Sequence, residues 1–180
     1  DELRDSWCEF LGPESPITTG RLESIFFVGP GLFDGHAIEI DDRFRVFFDM
    51  RLVGSHMCEA RFTPEVHVAH ETAHALHYAG TPDMYPGSQK RVREEVWHRL
   101  VAEGLAVRLS EELLDASPRE ALWFGFLDEE TFTQWRRAAE QSRDDLWSEV
   151  CEARDSLRFD SRAWRRLFRG GGEEIDGRFG

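Results

Sequence analysis

The chain has 180 residues, 41% of them hydrophobic and 32% charged, with a formal net charge of −13 at pH 7. That length suits a single domain over residues 1–180 with core enough to need no staples, and no apolar run reaches the ~18 residues of a membrane span, so a soluble protein is expected. The acidic balance argues against nucleic acid and anionic membranes as partners, because both need a basic patch.

In chain order, the first regular elements are β-rich. Residues 24–29 (SIFFVG), 37–40 (AIEI) and 44–53 (FRVFFDMRLV) carry β-branched and aromatic side chains, and Phe44, Arg45, Val46, Phe47 and Asp49 suggest one wet and one packed face. The expectation is a small sheet ahead of the first long helix. The odd number of cysteines (Cys8, Cys58 and Cys151), with neither metal-type nor framework spacing, favours a reduced, cytoplasmic setting.

A helix is predicted from Thr63 as N-cap, with Pro64 at the first helical position and Glu65 complementing the helix dipole, to a stop at Gly80, Thr81 and Pro82. In its middle stands His70-Glu71-Thr72-Ala73-His74. Helical residues four apart differ by about 40° and rise about 6 Å, so both imidazoles can converge on one metal ion from the same face. Glu71, about 100° round, is badly placed to be a third ligand from that helix and well placed to take a proton from water at the ion. His67 and His77 continue the stripe, but neither the 67/70 nor the 74/77 pair brackets a glutamate at that angle. They read as histidines supporting the ligands or facing solvent.

Tetrahedral zinc in a catalytic site takes three protein ligands and leaves one position open. A second predicted helix, Lys90 to Leu114, supplies a candidate in Glu103, on a face shared with Val92, Val96, Leu100, Val107 and Ser110 and widened by Trp97, Val101 and Leu105. A carboxylate on a mainly buried face needs a cation, a donor or a metal, so an ion pair with one of the arginines is the other reading of Glu103. Ala102, Gly104 and Ala106 are small enough to admit another helix, which gives the mid-helix glycine a packing reason. Glu94 and Glu95 are weaker ligand candidates, because acidic residues in a first turn are common for dipole reasons alone.

Beyond it, Ser117-Pro118-Arg119-Glu120 has the form of a capping box, Ala121 to Leu127 is a short apolar core run, and Asp128-Glu129-Glu130 opens further helix. Arg136 with Glu140 is a solvated pair, Arg162 to Arg169 has the pattern of an amphipathic helix, and Arg169 to Glu173 reads as a flexible turn. No internal repeat or linker interrupts the chain.

The motif His70-Glu71-Thr72-Ala73-His74, followed by Glu103-Gly104-Leu105-Ala106, resembles the gluzincin class of zinc metallopeptidases, in particular bacterial Zn-dependent proteases with HExxH and a downstream E-G-L-A. The resemblance covers residues 63–110 and implies an α+β, zincin-like fold: a small N-terminal sheet over an active-site helix, a glutamate helix and a helical C-terminal part. It implies one Zn²⁺ per chain on His70, His74 and Glu103, Glu71 as general base, and a peptide or protein substrate. It also makes the strand near Phe44 to Leu52 a candidate edge for pairing with an extended peptide, the alternative being a central core strand. The chain departs from the thermolysin-like form at Val107, where that branch has an acidic residue. Gluzincins commonly stabilise the oxyanion with a downstream Tyr or His; Tyr78, Tyr85 and His98 are the candidates. A non-catalytic zincin-like module that binds metal for regulation or interaction is the alternative function.

Overall fold

The structure is a computed structural model that describes residues 2–15, 17, 19–31, 35–41, 43–58, 62–85 and 92–155, with the side chains of residues 2 and 92–95 excepted. The expected helix over 162–169, the turn at 169–173, the loop residues Pro86 and Gly87, and the Glu94 and Glu95 side chains lie outside the described residues. The described chain is mixed α and β: seven helices and one three-stranded sheet. It divides into two compact units, Asp1–Asp83 with Leu105–Phe126, and Met84–Gly104 with Leu127–Gly180.

The first unit holds the sheet, in which β3 (Arg43–Asp49) is central, parallel to β1 (Glu23–Phe27) and antiparallel to β2 (Gly35–Ile40). The Phe44 segment is therefore the middle of the sheet, and β1 and β2 are its edges. The expected strand over 44–53 also stops early: Met50–His56 form α2. Its cause is Asp49, whose carboxylate accepts the Arg51 N–H at 3.0 Å as N-cap and those of Gly29 and Gly31 at 3.0 and 2.6 Å. Far from marking a wet face, Asp49 is fully buried. Burial raises its pKa, but the Gly31, Gly29 and Arg51 N–H donors, aided by the Arg51 charge, outweigh that and hold it below the ordinary value.

Pairing aligns Gly35 with Phe48, Ala37 with Val46 and Glu39 with Phe44, so these side-chain positions share one face of the sheet. Ala37, Phe44, Val46 and Phe48 of that face are buried, and α3 (Pro64–Gly80) packs on β2 and β3. Its other flank meets α1 (Glu2–Leu11) and the C-terminal half of α4 (Val92–Leu114), where Trp7, Ala73 and Ala106 form a core ringed by Leu3, Ile17, Leu76, Leu109 and Leu113. Alanines at 73 and 106 leave room for the indole, and truncating a buried tryptophan of this kind typically costs roughly 3–5 kcal/mol. The helix ends fall where the sequence places them, with one difference: Thr63 makes no side-chain cap. Its N–H instead donates to the Phe124 carbonyl at 2.8 Å.

That carbonyl ends α5 (Pro118–Trp123), which opens with the expected capping box: Glu120 N–H to the Ser117 hydroxyl, and Ser117 N–H to the Glu120 carboxylate. Phe124 then adopts φ 50° and Gly125 φ 82°, which reverses the chain beside α3. In the second unit, α6 (Glu129–Gln141) is capped by Asp128 and followed by α7 (Arg143–Asp155). Here Val150 and Ala153 pack with Val96 and Leu100 of the N-terminal half of α4. Trp97 and Val101, expected to widen the buried stripe of α4, are exposed, and Trp97 meets Trp147 edge to face. Helical period groups apolar positions but does not say which group is covered. Among the described residues no helix is long and apolar enough to cross a membrane.

Candidate metal centre

The middle of α3 is buried almost all round, because sheet and helices cover opposite flanks; His70 and His74 are only 6% and 8% exposed. Their Nε2 atoms lie 3.2 Å apart. This is the distance of a hydrogen bond between the two rings, and because two imidazoles on a tetrahedral ion at ~2.0–2.1 Å hold their nitrogens ~3.3 Å apart, it is also compatible with two ligands on one ion. A Glu71 carboxylate oxygen completes the group, all three ligand atoms falling within 4.8 Å of one another. The half-buried Glu71 thus stands close enough to serve as a base beside an ion, or to contribute an oxygen to it.

The rings around this group fix its shape. Phe124 meets His70 edge-on at 5.2 Å, and Tyr78, one turn beyond His74, lies nearly parallel to the His74 ring at 6.0 Å. Phe44 from the central strand contacts Tyr78 in turn at 6.3 Å. His67, expected to support the ligands or face solvent, is buried at 1% exposure among Phe48, Phe62 and Phe124. His77 is half-buried, its ring against Tyr78 and its carbonyl accepting the N–H and hydroxyl of Thr81.

Glu103 stands on α4 in the second unit, half-buried, with Oε1 3.2 Å from Arg99 Nε one turn earlier. The ion-paired reading of Glu103 therefore describes one of its interactions. Gly104 beside it lacks the packing reason expected of it: a Cβ added there meets nothing within 4 Å. The other two small residues, Ala102 and Ala106, are both buried, and Ala106 joins the core with Trp7 and Ala73. Of the oxyanion candidates, Tyr78 is buried against His74, while Tyr85 and His98 are half-buried in the second unit.

Two participants escaped the sequence reading. Phe124 looked like generic core, and only its left-handed backbone brings its ring to the histidines. Gly35 falls just ahead of the strand expected over 37–40, yet it opens β2 and lies against the Glu71 side chain. The one available signal was a glycine opening an apolar strand, which often marks a close approach.

No family model, no curated protein and no solved structure matches the chain.

Proposed function

We propose that the chain is a zinc-dependent peptidase of gluzincin type, residues 1–180 forming one zincin-like domain. The observation that carries this reading is the 3.2 Å Nε2 to Nε2 spacing of His70 and His74 with the Glu71 carboxylate beside them. Two imidazoles and a carboxylate are a donor set suited to zinc, and the imidazoles favour it over harder, oxygen-seeking cations. His70, His74 and, by resemblance, Glu103 would hold the ion. Bound there, zinc supplies Lewis acidity, making water a stronger acid and a peptide carbonyl a stronger electrophile.

The chain's own residues do the rest. Glu71 takes the proton from the attacking water and returns it to the leaving amine. Phe124 and Tyr78 keep the two imidazoles oriented and bulk water out, which strengthens electrostatic interactions within the site. The Arg99–Glu103 ion pair favours a second reading, a non-catalytic metal-binding module, because a carboxylate held by a guanidinium has to share or leave that pair to ligate.

Metal content by elemental analysis, together with turnover on a broad peptide mixture, tests the proposal. About one zinc per wild-type chain is expected, with sharp loss in His70→Ala, His74→Ala and Glu103→Ala, and retained zinc without hydrolysis in Glu71→Gln. Metal without turnover in wild type moves the chain to the second reading. No metal after zinc-replete expression overturns both.

A further inference from the structure

We infer that Gly35, the first residue of the edge strand β2, is the positioning residue for Glu71, and that its missing side chain sets where the carboxylate stands relative to His70 and His74. The inference rests on the metal-centre reading above and adds to it a residue from a different element.

A Cβ built on Gly35 would collide with Glu71 Cγ, lie 2.7 Å from Cδ and reach Oε1 at 3.2 Å. Real Cβ atoms do not approach other carbons so closely. Backbone conformation does not explain the glycine: Gly31 has φ +74°, a value that favours glycine, whereas Gly35 lies in the strand in register with Phe48 and has no such φ. Only the space it leaves distinguishes it. Glycine in a strand forfeits side-chain packing and adds unfolded-state entropy, a cost that close approach to another group here offsets.

The atoms involved show why a substitution would matter at the carboxylate. The nearest one is Cγ, in the middle of the side chain, so a Cβ cannot be accommodated by moving only the flexible tip. α3 is held by the sheet on one flank and by the core of Trp7, Ala73 and Ala106 on the other, so its backbone cannot easily withdraw. What remains is a change of Glu71 χ1, and the next staggered well lies about 120° away, with one of the three disfavoured in a helix. That rotation carries the carboxylate out of the cluster it forms with the two histidines. Gly35 acts through Glu71 and contributes no functional group of its own.

The test combines a melting cycle with a metal spectrum. Thermal unfolding is measured for metal-free wild type, Gly35→Ala, Glu71→Ala and the double variant. The loss of Tm caused by Gly35→Ala is expected to shrink to less than about half when Glu71 is also truncated, because the colliding atoms are gone. The double variant also guards against simple misfolding, since it restores the space. Cobalt(II) is then bound to wild type and each single variant at fixed pH. The visible spectrum of Gly35→Ala is expected to move toward that of Glu71→Ala, with cobalt stoichiometry unchanged, a signature that loss of stability alone would not produce. Equal Tm losses in the two backgrounds overturn the contact. Coupled losses with a wild-type spectrum in Gly35→Ala overturn the positioning role and leave the metal reading standing. No cobalt bound by wild type overturns the metal reading and the role built on it, whatever the melting cycle gives.

Discussion

Two carboxylates stand at the same end of the sheet, each with a glycine pressed against it, and they differ in burial and in neighbours. Asp49 is fully buried and receives three backbone N–H groups, from Gly29, Gly31 and Arg51. Glu71 is half-buried, lies against Gly35, the strand partner of Phe48, and neighbours two histidine nitrogens. A carboxylate saturated by donors is held ionised and resists protonation, which suits a structural pin and disqualifies a general base. One beside imidazoles that can converge on a cation can exchange a proton with a neighbour. On the reading proposed above, Asp49 serves the fold and Glu71 the chemistry.

The sharpest way to break this division is to neutralise each acid. Glu71→Gln is expected to lower peptide hydrolysis by about 10²–10⁴-fold while leaving Tm nearly unchanged, read from initial rates and a thermal scan. Asp49→Asn is expected to do the reverse, lowering Tm on the order of 10 °C while the folded fraction keeps its bound-metal stoichiometry. Comparable effects of both variants on both readouts would dissolve the contrast. A second test follows from the sign of the Asp49 shift. Its folded pKa is below the unfolded one, so its stabilisation is complete above the unfolded value near 4 and is lost as pH falls through the lower folded value. Wild-type Tm should therefore drop more steeply than that of Asp49→Asn below about pH 4, measured by calorimetry.

The sequence made α3 legible because its signals are local: Thr63-Pro64-Glu65 at one end, Gly80-Thr81-Pro82 at the other, and HExxH between them. The end of β3 and the start of α2 were missed although the Asp49–Arg51 cap is local, and the Gly31 and Gly29 N–H groups that also hold the buried Asp49 carboxylate come from 18 and 20 residues away. Likewise the Gly35–Glu71 approach joins positions in a strand and a helix that no periodicity relates. On α4 the apolar stripe was read correctly at Val96 and wrongly at Trp97 and Val101, whose coverage depends on neighbours and not on spacing.

The smaller effects probe positions tied to neither Asp49 nor Glu71. Gly104→Ala meets no steric obstacle and should stabilise the chain by up to about 1 kcal/mol through helix propensity, seen as a higher denaturant midpoint. A loss of stability there would mean that the E-G-L-A glycine serves a purpose absent from its packing. At the bottom of the scale, Arg136→Ala removes an exposed pair with Glu140 at 3.3 Å and should change stability by less than about 0.5 kcal/mol.

The enclosure of the histidine pair also bears on how fast an ion could come and go. His70 and His74 are less than a tenth exposed and Phe124 and Tyr78 lie against their rings, so an ion entering from the ring side would need a local opening of the structure around α3. Uptake and release would then be gated by the same breathing motion, with a steep temperature dependence and slow exchange even where the equilibrium affinity is modest. A chelator added to loaded protein would strip the ion at a rate independent of its own concentration.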